Sequence, residues 1–378
     1  MTASRPVLAQ DLRQWDFGPV HFSNDFPGGR ANHVRNADGS RYEVLIEPEV
    51  TPINGSPWYA FALWADTAHT ITVRLRYSEF HHRYHPLRKY RNTGWEPIPT
   101  TDLSYPDGPT HAHPGQTGDT IQLHPYVDVQ LNLTSDTSWI AAQPVIASAD
   151  EEDWWDGHLR EHLNERGYGR AENGPKIRYY ATPDADRSLF VIGRQHPPEV
   201  TGALALRAFA ERLCANDSLA NAFQAAWRVV FIPIVNPDGV DLGHWRCNPG
   251  GVDLNRDWWL AQQPETQAVR SIIEGQMRSQ NLLVDLHSTW KDILYLTSKG
   301  EHNPVIQKWL ALADERMERP VPRKVIEFFA PITSMQWAEE QGFSALVYEV
   351  GEDVPMSEVR KRAFIYAETL MISLLKDQ

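Results

Sequence analysis

Near residue 145 the hydrophobic period of this chain changes, and that change limits the fold more than any other feature. Upstream, the runs YEVLIEPEV, WYAFALWA, HTITVRLRYSEF and DTIQLHPYVDVQLNL alternate apolar and polar residues, with Pro, Gly, Asn and Asp between them. Alternation at period two puts every second side chain on one face of a strand. It predicts an antiparallel β-sandwich over residues 1–144. Within that half, TDLSYPDGPTHAHPGQTGDT reads as loop by composition. Downstream, the apolar runs SLFVIG, WRVVFIPIV, NLLVDLH and SALVYEV alternate with helical patterns over Gly202–Leu213, Pro264–Arg278 and AFIYAETLMISLLK. Strand then helix, repeated, predicts an α/β domain with a parallel or mixed sheet over residues 145–378.

The 378 residues suit two domains, and 42% hydrophobic with 11% aromatic residues is enough to fill two cores. No apolar run approaches the roughly 20 residues of a membrane-spanning helix. The start, MTASRPVLAQDLRQW, has no apolar h-region, so a cytoplasmic location is expected. A periplasmic or secreted protein whose leader had been removed would read the same way. Two cysteines, Cys214 and Cys247, cannot form a disulfide scaffold. A net charge of −13 argues against nucleic acid and anionic membrane as partners. The oligomeric state is not encoded in these features.

The chemistry starts at RQHPPE, where His196 and Glu199 follow an apolar strand. Such a pair is weak alone: 15 histidines should give about one by chance. The chain has two more, His158/Glu161 and His162/Glu165, inside GHLREHLNERG. That stretch even holds H-x-x-E-H, a metallopeptidase pattern. Its charges recur on all sides, however, which suits a solvated helix. His196 and Glu199 sit instead at the carboxyl end of a strand, where open α/β sheets bind ligands. Pro197 holds His196 extended, and Pro198 suits a first helical turn that would include Glu199. His287 ends the run Leu282–Leu286 and offers a third ligand from a second strand end. Taken alone His287 suits a satisfied loop histidine; together with His196 and Glu199 it would complete a catalytic zinc set with an open fourth position. In VNPDGVDLGHWRCNPGGVDLNRDWW, Arg246 and Arg256 lie among Gly and Asn. They are either surface residues or anion-binding forks.

RQHPPE, NPDG, WRCNPGGVDLNRDW, DLHS and VYEVG occur here in the order found in zinc carboxypeptidases of the carboxypeptidase A type. RCNPGGVDLNRDW most resembles the cytosolic-carboxypeptidase branch, which includes enzymes that trim glutamates. FSNDFPGGRANHV and RYHPLRKYRNTGWEPI resemble that branch's N-terminal domain. The resemblance implies one zinc per chain, held by His196, Glu199 and His287, with Asp253 orienting the first histidine. It implies Arg246 as oxyanion stabiliser, Asn255 and Arg256 as the clamp for the substrate's terminal carboxylate, and Glu349 as general base. Glu352, three residues on, lies farther from the strand end. The substrate would be a peptide or protein C-terminus.

Lys291 stands where the glutamate-trimming relatives are also basic, and would favour an acidic leaving residue. The neighbouring Asp292 would oppose it. The family's mobile tyrosine, about twenty residues before the base, has no counterpart: VIEFFAPITSMQW offers Phe328 and Phe329, which carry no hydroxyl. Cleavage of cell-wall peptides is an alternative activity. A binding module with a vestigial metal site is the non-enzymatic alternative, but it would be expected to lack a ligand, the base or Arg246. His81, His82 and His85 suit a polar sheet edge, most of the 14 tryptophans suit packing, and Cys247 has no histidine partner in sequence.

Overall fold

The computed structural model describes residues 11–106, 111–114, 120–170, 174–327 and 329–376. They form two compact units. The first comprises Met1–Ala147 and Asp238–Gly251, the second Ser148–Pro237 and Val252–Gln378.

The first unit holds a six-stranded and a five-stranded sheet. In the larger sheet the order is Gln14–Phe17, Val20–Ser23, Ala60–Ala65, Ser138–Ala141, Leu87–Tyr90 and Glu96–Pro97, every pair antiparallel. In the smaller the order is His33–Asn36, Arg41–Ile46, His69–Tyr77, Tyr126–Leu133 and Leu103–Ser104. The predicted alternation is present: Tyr42, Val44 and Ile46 are buried while their neighbours are not. Phe22 of one sheet meets Tyr42 of the other, with ring centroids 5.2 Å apart, so the two inner faces form one core. One pair departs from the antiparallel expectation. Arg41–Ile46 runs parallel to His69–Tyr77. Within the segment expected to be loop, His111–Pro114 is a strand, paired with Thr120–Leu123 at the start of the next run, which was expected to be strand.

A buried charge anchors the second segment of this unit. Glu49 is fully buried and accepts the backbone N–H groups of Trp245 (2.7 Å), Arg246 (2.9 Å) and Cys247 (2.7 Å). The Trp245 indole donates to Trp58 O at 3.1 Å. Arg30, from FSNDFPGGRANHV, is also fully buried and donates from Nε and Nη2 to Glu47 O. Burial pushes its pKa down to about 10, against the pull of Glu49 and Glu47. His82 is buried too, against the Tyr77 hydroxyl at 2.8 Å.

The second unit is built on an eight-stranded mixed sheet. Its strands in chain order are β1 Glu165–Arg170, β2 Lys176–Ala181, β3 Arg187–Gly193, β4 Trp227–Ile232, β5 Asn281–Thr289, β6 Ile293–Leu296, β7 Arg323–Val325 and β8 Ser344–Gly351. Their spatial order is β1-β2-β4-β3-β5-β8-β6-β7. The central β4, β3, β5 and β8 are parallel neighbours. Leu189 to Ile192 of β3 are wholly buried, each side chain contributing about 1.5–3 kcal/mol to folding. Helices cover both faces. Val200–Leu213 and Met356–Leu375 pack with Leu189, Val191 and Leu346. Pro264–Gly275 and Ser334–Glu340 pack with Phe190, Ile192 and Val347.

The H-x-x-E-H stretch is not one helix. Ser148–His158 ends at its first histidine, Arg160–His162 is a separate 3-10 turn, and Glu165 already belongs to β1. His158 stacks on Trp154, with centroids 5.0 Å apart. Among the described residues, no helix is long and apolar enough to cross a membrane.

Candidate metal centre

The centre lies where β3 and β5, parallel neighbours, run out at their carboxyl ends. Beyond Gly193 the chain turns sharply, with Arg194 at φ 52°. Asn236 of the NPDG turn braces this bend, donating its N–H to Arg194 O (3.2 Å) and its amide to Gln195 O (3.2 Å). Pro197 and Pro198 occupy a tight turn closed by Glu199 N donating to His196 O at 3.3 Å. The helix starts only at Val200. Glu199 therefore stands at the N-cap position rather than within the first helical turn, because the prolines are used by the turn before it. Its side chain makes no cap hydrogen bond and is free to face the histidines.

Glu199 lies between the two imidazoles. Its Oε1 is 2.7 Å from His196 Nδ1 and its Oε2 is 2.8 Å from His287 Nδ1. All three residues are buried, and one ligand atom from each lies within 4.8 Å of the others. Burial works against the Glu199 charge, but the two histidines hold its pKa well below the usual carboxylate range. Burial likewise opposes the His287 charge, while Asp285 and Glu199 raise its pKa. The donor set suits zinc: two imidazoles, one carboxylate, and both Nδ1 atoms aimed at the same carboxylate.

Each histidine is held from behind by a second carboxylate. His196 Nε2 lies 2.9 Å from Asp253 Oδ1, which also accepts the Asn255 N–H and so caps the 3-10 turn Leu254–Arg256. His287 Nε2 lies 3.0 Å from Asp285 Oδ2. The sequence reading did not single out Asp285. The available signal was its place two residues before His287, on the same face of one strand. Also unanticipated are Gln195, which donates to Asp285 Oδ2 at 2.6 Å and accepts from the Trp258 indole, and Ser334, whose hydroxyl donates to Asp285.

The remaining candidates fall as follows. Glu349 is the register partner of His287 on β8, and both project to the same face. Tyr295 lies on that face too; burial, then the charge of Glu349, raises its pKa. Glu352 lies past the end of β8, its N–H donating to Thr289 O. Asn255 is buried and accepts the Ser334 N–H at 3.2 Å, which leaves its amide as a donor 3.5 Å from His287 Nε2. Arg256 is exposed and donates to Asn255 O at 2.7 Å. Lys291 is half-buried between β5 and β6. Asp292, expected to oppose it, is otherwise engaged: it pairs with Arg362 and accepts from the Tyr348 hydroxyl (3.2 Å) and Gly351 N (2.9 Å). Arg246 belongs to the segment Asp238–Gly251 of the first unit. Phe329 is exposed, and Phe328 lies outside the described residues.

Residues 168–320 match the family model for zinc carboxypeptidases. Over that stretch the chain is similar to zinc carboxypeptidases. Cytosolic carboxypeptidase 6 of Caenorhabditis elegans is 32% identical over 119 residues, 29% of this chain and 26% of that protein. Cytosolic carboxypeptidase 3 of Mus musculus is 23% identical over 319 residues, 75% of this chain and 30% of that protein. The matches thus span less than a third of either relative's length. The fold is that of a metallo-carboxypeptidase from Burkholderia cenocepacia (TM-score 0.74, 14% identity, 95% of this chain and 100% of that one). A metallo-carboxypeptidase from Pseudomonas aeruginosa, solved with (2-guanidinoethylmercapto)succinic acid, superposes with TM-score 0.71 at 17% identity, covering 94% of this chain and 100% of that one. At such identities the carboxypeptidase likeness is one of fold.

Proposed function

We propose that this chain is a zinc-dependent carboxypeptidase that removes the last amino acid from a peptide or protein. The observation that carries the reading is the convergence of His196, Glu199 and His287 at two parallel strand ends. When bound there, zinc supplies a Lewis acid for the scissile carbonyl and acidifies water. Glu349, projecting from the strand beside His287, takes the proton from the attacking water and returns it to the leaving amine. Asn255, through its amide, and Arg256 clamp the terminal carboxylate. Arg246 stabilises the oxyanion; its role rests on the WRCNPGG motif alone. Lys291 favours an acidic leaving residue such as glutamate, and the pairing of Asp292 with Arg362 removes the charge that would oppose it.

The test combines metal content with a peptide series. One zinc per chain is expected, lost in His196→Ala and His287→Ala. Peptides ending in Glu, Asp, Leu, Phe, Lys or diaminopimelate, with free or amidated ends and α- or γ-linked glutamate, then define the substrate. Cleavage of amidated peptides as fast as free ones would overturn the carboxypeptidase reading. A preference for Leu or Phe unchanged in Lys291→Ala would overturn the acidic one, and a preference for diaminopimelate would point to cell-wall peptides.

A further inference from the structure

Asp285, behind His287, is held from several sides. Three groups converge on its Oδ2: the Gln195 amide at 2.6 Å, the Ser334 hydroxyl, and His287 Nε2 at 3.0 Å. Gln195 is itself fixed by the Trp258 indole at 2.8 Å, and Trp258 is fully buried against Trp337. Ser334 opens the helix Ser334–Glu340, capped by Thr333. The carboxylate is therefore immobilised from two other elements before it meets His287. Its side chain is 0% exposed and that of His287 1%.

We infer that Asp285 is the positioning residue of this metal centre: it fixes His287 with the proton on Nε2 and the Nδ1 lone pair toward Glu199, and so sets zinc affinity. This rests on the zinc-centre reading above. A neutral imidazole has two tautomers, and only one leaves Nδ1 able to bind a cation. Glu199, 2.8 Å from Nδ1, also accepts an N–H, but once a cation takes the Nδ1 lone pair the remaining ring proton is on Nε2, where Asp285 accepts it at 3.0 Å. Asp285 also adds negative charge behind the ligand, which makes the imidazole a better donor.

The two histidines are not held equally. Asp253 performs the same act for His196, but its side chain is 18% exposed. Charge–dipole attraction is stronger where water is excluded. The dry pair should therefore contribute more to zinc affinity than the wetter one.

The experiment measures zinc dissociation constants by chelator competition for the wild-type chain, Asp285→Asn, Asp253→Asn and His287→Ala. Asp285→Asn keeps the volume and loses the charge. It should bind zinc about 10–100-fold more weakly, with a larger loss than Asp253→Asn. Nitrogen NMR of labelled histidines should show His287 protonated on Nε2 in the zinc-loaded wild type. In metal-free Asp285→Asn, Glu199 is left as the anion facing the ring and the proton should shift toward Nδ1. If Asp285→Asn does not fold, Ser334→Ala, which removes one donor that aims the carboxylate, should still weaken zinc several-fold. Affinity within about threefold of wild type in whichever variant folds, against the factor expected for such partners, overturns the inference. So does a greater loss in Asp253→Asn. If His287→Ala binds zinc like the wild type, the metal-centre reading itself fails, and that result is separate from either.

Discussion

Glu349 and His287 are neighbours by register, not by sequence, and that fixes what a substitution at each should do. His287 faces Glu199 and should control metal content. Glu349 should control turnover with metal in place. Glu349→Gln is expected to keep zinc and the melting temperature while losing about 10²–10⁴-fold in kcat, the usual share of general base catalysis. A fully active Glu349→Gln with an inactive Glu352→Gln would move the role to the later residue. The sequence exposed the ligands because each stands at a break, His196 before two prolines and His287 after an apolar run. It hid Asp285 because a single polar residue inside VDLH reads as part of a buried strand. Gln195 and Ser334 were hidden for another reason: their partners lie far away in the chain. At the same scale, His82 should make the protein acid-sensitive. Burial, with His124 and His85 adding to it, pushes its pKa down to about 3. An unfolded histidine takes its proton near pH 6.5, about 1.4 kcal/mol being lost per pH unit below that for one group. The folded state refuses the proton until far lower pH, so stability is intact above about pH 6.5 and falls as pH drops toward 3. His82→Gln, which can still accept from Tyr77, should flatten the fall in denaturant-measured stability between about pH 6 and 4. An unchanged slope would show that other groups dominate.

At the level of elements, one close approach fixes the helix Val200–Leu213 to the metal site. A Cβ on Gly202 would lie 2.5 Å from His287 O and 2.8 Å from its carbonyl carbon. The obstacle is backbone and cannot rotate away. Ser288 adds to the join, its hydroxyl meeting both Gly202 N and the Thr201 hydroxyl at 2.8 Å. Helix propensity alone makes Gly→Ala stabilising by up to about 1 kcal/mol. The contact predicts the opposite sign for Gly202→Ala, a loss of about 1–3 kcal/mol from overpacking, together with weaker zinc retention. Gly275→Ala, where an added Cβ meets nothing within 4 Å, is the control and should not destabilise. An equal effect at both sites would dismiss the close approach as a constraint. The four central strands of the second unit were legible because their runs are strongly apolar; the outer strands Glu165–Arg170, Lys176–Ala181, Ile293–Leu296 and Arg323–Val325, shorter or more polar, were not. Strand direction in the first unit was not legible either. Alternation records which face is buried but not which way the neighbour runs, so the parallel pairing of Arg41–Ile46 with His69–Tyr77 leaves no mark in the sequence.

Across the whole molecule the chain passes between the two units three times, because the first unit contains both Met1–Ala147 and Asp238–Gly251. A fragment of residues 148–378 would keep Trp245, Arg246 and Cys247 but lose Glu49, which accepts from all three backbone N–H groups. A buried polar group left without its partner costs about 1–3 kcal/mol. The fragment is expected to lose protection of those three amides in hydrogen exchange, and Glu49→Ala in the full chain should do the same. Protection at wild-type levels in both would show that the segment is held by other means. The same arrangement constrains the order of events during synthesis. The ribosome finishes residues 1–147 early, yet Glu49 then has none of its three donors. They emerge only after the whole of 148–237, which belongs to the other unit. The sandwich is therefore begun first and completed late, and for that interval a carboxylate destined for a dry interior must stay hydrated. A stall or a premature stop before residue 251 would leave the nascent chain with an incomplete N-terminal unit, however well its strands had already paired.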